Sequence, residues 1–150
     1  MFIWEANKED LDEGVLAEIE ALMNAGFAAE GDDCRFSVTS FLDFWSPRIG
    51  FNGAIFFLID PSGAIRGIIT GLVANNFTIG ENQAVIANWR VDPALRGTGG
   101  GYGLLDAFER WGAGQGARTV LAHCSVSDEK TIKNLARNHR PKGVMFTRVL

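Results

Sequence analysis

Apolar and polar positions follow two periods along the chain, and the changes of period mark its elements. Leu11, Val15, Ile19, Leu22 and Met23 recur at the spacing of one helical face, which predicts a first helix of about four turns. Asn7, followed by Asp10, has the chemistry of its N-cap. Gly26 and Gly31 end or interrupt it, and the acids Glu13, Glu18 and Glu20 read as its solvated face. A short strand over residues 2–5 precedes it. Residues 54–59 form a dense apolar strand, Asp60, Pro61, Ser62 and Gly63 a turn, and residues 65–73 a second strand broken by Gly67 and Gly71. Together they predict an antiparallel hairpin.

A turn over residues 75–82 leads to a strand over residues 83–91 that stops before Pro93. Leu104, Leu105, Phe108 and Trp111 then share one helical face, and Gly112, Gly114 and Gly116 favour a left-handed stop. A strand over residues 119–125 follows. Ser127, Asp128 and Glu129 open a short helix with Ile132, Leu135 and Ala136 on its apolar face, and Pro141 stops it. Residues 143–150 read as a final strand. Residues 34–53 are the least regular: Phe36, Phe41, Leu42, Phe44 and Trp45 crowd together, with Ser40 capping a short helix that ends before Pro47. By composition this aromatic cluster reads as core.

A length of 150 residues suits one domain over residues 1–150, and an apolar fraction of 47% is that of a globular chain. No apolar run is long enough to span a bilayer, and the N-terminus lacks the basic flank and apolar centre of a signal peptide. The two cysteines, Cys34 and Cys124, suggest neither a disulfide framework nor a metal site. They read as reduced, mostly buried thiols in a cytoplasmic protein. A net charge of −4 argues against a general nucleic-acid binder. The charge is uneven, with acids near the start and Lys130, Lys133, Arg137, Arg140, Lys142 and Arg148 near the end. Those bases are either a solvated face or an attraction for an anion.

The most informative stretch joins the strand before Pro93 to the helix after it. Between them lie Arg96, Gly97, Thr98, Gly99, Gly100 and Gly101. Glycine admits close approach of a ligand to the backbone, and a helix N-terminus adds unpaired N–H donors and partial positive charge. A strand, an arginine-led glycine turn and a helix describe a cradle for a pyrophosphate. A Walker loop requires a lysine after the glycines, and none is present. The dinucleotide fingerprint G-x-G-x-x-G fails at Tyr102 when started from Gly97, and at Leu104 when started from Gly99.

The pattern that does fit is V-x-P-x-x-R-G-x-G-x-G, as Val91, Pro93, Arg96, Gly97, Gly99 and Gly101. It resembles the acetyl-CoA loop of the GNAT superfamily of N-acetyltransferases. The resemblance is sharp over residues 84–116 and looser elsewhere. It implies an α/β (α+β) fold of GNAT type, a mixed, largely antiparallel sheet flanked by helices on both faces. It further implies acetyl-CoA as co-substrate, an amine acceptor, no metal, and an acceptor pocket that the aromatic segment over residues 34–53 would help to line. Backbone groups of Trp89 and Val91 would meet the pantetheine arm and the oxyanion, with Ser127 and Asp128 at the start of the last helix also near pantetheine.

Two departures from the family pattern concern protons. The strand before the loop carries Asn88 and Arg90 but no carboxylate, where the family often places a base. The usual tyrosine acid falls near Leu135 or Ala136, and the single tyrosine is Tyr102. His123, His139 and Asn88 are the remaining candidates for catalysis. Two other readings follow: a catalytically weak CoA-binding module with a regulatory role, or association with nucleic acid through the basic end. A homodimer and the identity of the amine stay open.

Overall fold

The structure is a computed structural model and describes residues 1–123 and 129–141. Five strands form one sheet in sequence order: β1 (Phe2–Glu5), β2 (Gly53–Ile59), β3 (Ile65–Asn76), β4 (Glu81–Val91) and β5 (Thr119–Leu121). The first four pair antiparallel, and β5 joins β4 in parallel. A parallel neighbour needs a crossover, supplied by α3 (Gly100–Gly114). Side chains from α1 (Glu13–Ala29) and α2 (Val38–Trp45) pack on one face of the sheet. Those from α3, with Leu135 of α4 (Glu129–Leu135), pack on the other. The expected mixed, largely antiparallel sheet covered on both faces is present.

β2 is buried along its whole length, which is why its sequence is continuously apolar rather than alternating. Ile55, Phe57 and Ile59 enter the core under α1 and α2, while Ala54, Phe56 and Leu58 enter the core under α3.

Gly67 and Gly71 do not break β3, which runs uninterrupted from Ile65 to Asn76. They make room for α3. A Cβ on Gly67 would stand 3.1 Å from Leu104 Cδ1, and one on Gly71 only 2.3 Å from Phe108 Cζ. Gly112 likewise lies inside α3, not at its stop, and packs on Ala84. The left-handed residue beyond the helix is Gly116, at φ 84°.

Several expected boundaries move for local reasons. Asn7 and Asp10 close a capping box on a single 3₁₀ turn, Lys8–Asp10, and Asp12 caps α1 by accepting from Val15 N–H at 2.9 Å. Gly26 lies within α1, packed against the Arg90 side chain. Glu18 is not simply solvated: it accepts the Ile65 N–H at 2.7 Å and ties α1 to the start of β3. Ser37, not Ser40, caps α2, accepting the Ser40 N–H at 3.2 Å. The turn between β3 and β4 is shorter than expected, residues 77–80. Cys34 is exposed rather than buried. Cys124, Ser127, Asp128, Lys142, Arg148 and the expected last strand lie outside the described residues.

The feature that shapes the site is a register shift in β4. Thr70 pairs with Asn88, but Gly71 pairs with Ile86, so Ala87 has no opposite residue. Such a bulge inverts the alternation of faces. Before it, Ala84 and Ile86 point into the α3 core; after it, Trp89 and Val91 do. Asn88 and Arg90 are thereby turned to the face covered by α1 and α2.

Candidate active site

The loop between β4 and α3 is built by short-range rules. Asp92 accepts the Ala94 N–H at 2.9 Å and starts a 3₁₀ turn, Pro93–Leu95. Its other oxygen meets Arg66 at 3.0 Å, so this carboxylate is engaged at the base of the loop. Thr98 folds back, donating from Oγ1 to Leu95 O at 2.7 Å. Gly97 and Gly99 hold φ of 87° and 91°, the left-handed region in which side chains are strained. Gly100 has a packing reason instead: a Cβ there would come within 2.5 Å of Leu58 Cδ2.

Gly99 caps α3 without a side chain, and the first intrahelical donor is Gly103 N–H, to Gly99 O at 3.1 Å. The amides ahead of Gly103 have no acceptor inside the helix and share its positive end. Arg96 is exposed beside them, and Lys130 from α4 brings its Nζ to within 3.0 Å of where a Gly97 Cβ would be. Amides without an intrahelical acceptor, a helix N-terminus and two cations suit a pyrophosphate. The Lys130 contact is a tertiary one; sequence placed that lysine only within a basic cluster.

Backbone direction along β4 follows from one bond. Asp92 N–H donates to Arg66 O at 2.8 Å. By antiparallel alternation Arg90 also bonds toward β3, opposite Ile68. The N–H and C=O of Trp89 and Val91 therefore point away from β3, to the edge of β4 on which β5 lies. The recorded pairing of that edge covers Gln83, Ala84 and Val85 alone, against Thr119, Val120 and Leu121.

On the opposite face of the sheet, a groove of about 320 Å³ opens between α1, α2 and the bulge. Met23 and Phe27 come from α1, and Phe41, Phe44 and Trp45 from α2. Ala87 and Asn88 form its floor. Phe41 and Trp45 are core residues that also line the groove, together with exposed Phe44. Asn88 donates from Nδ2 to the buried Thr70 Oγ1 at 3.1 Å. A carboxylate does reach this face of β4, but from the C-cap of α1: Glu30 pairs with Arg90, whose guanidinium also lies 5.3 Å from the centre of the Phe27 ring.

Comparison with known proteins agrees with this geometry. The acetyltransferase (GNAT) family model matches residues 16–139. The chain belongs to the GNAT family. Among solved structures, it resembles an aminoglycoside acetyltransferase from an uncultured soil metagenomic sample, crystallised with sisomicin. That match has 19% identity and a TM-score of 0.76, covering 99% of this chain and 95% of the other. An acetyltransferase from Trypanosoma brucei aligns at 17% identity and TM-score 0.73, over 99% of each chain. Aminoglycoside N-acetyltransferase AAC(6')-Iy in complex with CoA aligns at 18% identity and TM-score 0.69, over 99% of each chain. No match was found among curated proteins. Such identities establish a shared GNAT fold. Among the described residues no helix is long and apolar enough to cross a membrane, and no group of three or more metal-ligating side chains assembles.

The residues weighed for catalysis in this GNAT chain are scattered. Asn88 lies in the groove. His123 is exposed beyond the end of β5. His139 sits against the body of α3, its Nε2 2.7 Å from Glu109 Oε1 and its Nδ1 3.2 Å from Leu135 O. Glu109 is nine residues past Gly100, roughly 13 Å along the helix at 1.5 Å per residue. Tyr102 is exposed in the first turn of α3. Leu135 is buried in the α3 core, and Ala136 is exposed.

Proposed function

We propose that this GNAT protein transfers an acetyl group from acetyl-CoA to a primary amine by direct attack. The observation that carries the reading is the left-handed Gly97 and Gly99 turn at the start of α3, with Arg96 exposed at its head and Lys130 beside Gly97. That turn would hold the pyrophosphate through residues 96–101. The edge of β4 that carries the Trp89 and Val91 backbone groups would hold the pantetheine arm and present donors to the thioester oxygen.

The chemistry is attack of a neutral amine nitrogen on the thioester carbonyl, forming a C–N bond, breaking the C–S bond and releasing CoA as a thiolate that takes a proton. The acceptor would enter from the groove of Phe27, Phe41 and Phe44, with Asn88 at its floor. Asn88 is neutral at all working pH values, so its role is to orient an amine or water rather than to remove a proton. The carboxylate of Glu30, at the C-cap of α1, is committed to Arg90. Rate enhancement would rest mainly on positioning and on oxyanion donors, with solvent taking the proton.

Calorimetry with acetyl-CoA, followed by thiol release in the presence of a panel of primary amines, tests this. Saturable binding together with amine-dependent CoA release is expected. Binding with no release from any amine would instead favour a CoA-binding module.

A further inference from the structure

The groove has a chemistry of its own, and what it says about the acceptor rests on the reading above. We infer that the acceptor is a small amine with an aromatic body and a carboxylate, not a polycation. The walls supply aromatic surface from Phe27, Phe36, Phe41 and Phe44 along an open groove of about 320 Å³. Among the described residues that line it there is no carboxylate.

The cation on the lining is Arg35, which makes no ion pair among the described residues. Two nearby guanidinium groups are already engaged. Arg48 lies over the Phe44 ring, 3.9 Å from its centre, and Arg90 is neutralised by Glu30. Asp32 and Asp33 line a separate depression that shares only Arg35 with the groove. Asp32 is moreover turned to Cys34, whose N–H it accepts at 2.9 Å.

A polycation in this groove would lose hydration without gaining a counter-charge. A ring would bury apolar surface against the phenylalanines, and a carboxylate would gain a charge-assisted bond from Arg35. Asn88, by donating to Thr70, keeps its carbonyl oxygen for an N–H of the amine.

The test compares para-(aminomethyl)benzoate, benzylamine and sisomicin as acceptors, and measures calorimetric binding of the unreactive para-toluate. Turnover should be best with para-(aminomethyl)benzoate, weaker with benzylamine and poorest with sisomicin. R35Q should cut the preference for the carboxylated amine over benzylamine by about tenfold, the worth of one charge-assisted bond, and should weaken para-toluate binding in parallel. S40D, which adds a carboxylate at the groove in the first turn of α2, should shift preference toward sisomicin. Turnover that favours sisomicin, with no para-toluate binding, overturns the acceptor class and leaves acetyl transfer intact. Para-toluate binding that depends on Arg35, without CoA release from any amine, overturns acetyl transfer and leaves the groove's selectivity standing.

Discussion

Phe108 on α3 occupies the space that a side chain at Gly71 on β3 would need, its Cζ lying 2.3 Å from the position of a Cβ there. The contact sits at the register shift of β4, because Gly71 is the residue that pairs with Ile86 across the bulge. The close fit of α3 on the sheet and the change of faces in β4 are therefore neighbours in one core.

Gly71→Ala should destabilise the fold by about 1–3 kcal/mol, the usual cost of overpacking a filled core. Urea unfolding should show a lower midpoint with an unchanged slope. Combining it with Phe108→Leu should recover part of the loss, since the two residues share the space. An unchanged midpoint in the single variant would contradict the packing described.

Gly99→Val should weaken acetyl-CoA binding by about tenfold or more. At φ 91° a β-branched residue is strained, and its side chain would stand at the mouth of the free amides. Gly63→Ala is the control: Gly63 has a similar φ of 88° but lies in the turn between β2 and β3. It should lower stability while calorimetry finds acetyl-CoA binding intact. Equal affinity in Gly99→Val and the unaltered protein would remove the loop from the binding site.

Proton transfer should not depend on one dominant side chain. His123→Gln, His139→Gln and Tyr102→Phe should each reduce turnover by less than about tenfold, or roughly 1.4 kcal/mol, whereas loss of a general acid or base typically costs about a hundredfold or more. His139→Gln should also lower Tm, because it loses the contact to Glu109 that ties the segment after α4 to α3. A hundredfold fall in any one folded variant would identify the missing acid or base.

Neither cysteine should be needed for turnover, so replacing Cys34 and Cys124 with serine should leave most activity in a folded protein. Cys34 has a second, pH-dependent signature. A hydrogen bond from its thiol to the Asp32 carboxylate, reinforced by the nearby negative charge, holds the thiol above its ordinary range. A raised thiol pKa means less thiolate at a given pH, and the thiolate is the reactive form. Alkylation of Cys34 by iodoacetamide should therefore be slow near neutral pH. Asp32→Asn should move the rate profile to lower pH; a profile that stays in place would show that the carboxylate has no hold on the thiol.

Much of the fold and of the glycine loop before α3 was legible because it is encoded locally. The β2–β3 hairpin follows from an apolar run, an Asp-Pro-Ser-Gly turn and a second run. The loop follows from a strand ended by Pro93, glycines that tolerate positive φ, and a helix whose apolar face begins at Leu104. Each of these needs only residues close in the chain.

What the tertiary structure decided lies in pairings between distant segments. Gly67 and Gly71 look like breaks in a strand until Leu104 and Phe108 are seen to fill the space above them. Glu18 looks solvated until the start of β3 brings the Ile65 N–H to it. His139 stood open to a proton role in sequence, whereas the packing of α4 on α3 sets it beside Glu109. Above all, no local period reveals that Ala87 is the extra residue of β4, because a bulge exists only relative to the strand opposite. That single unpaired residue turns Asn88 and Arg90 toward the face covered by α1 and α2, and Trp89 and Val91 toward α3. Sequence by itself determined most of the element types and the glycine turn that opens α3, since backbone preference and side-chain period act over a few residues. The faces, the groove and its lack of carboxylates were decided by register and packing, which depend on contacts made only when the whole sheet is assembled.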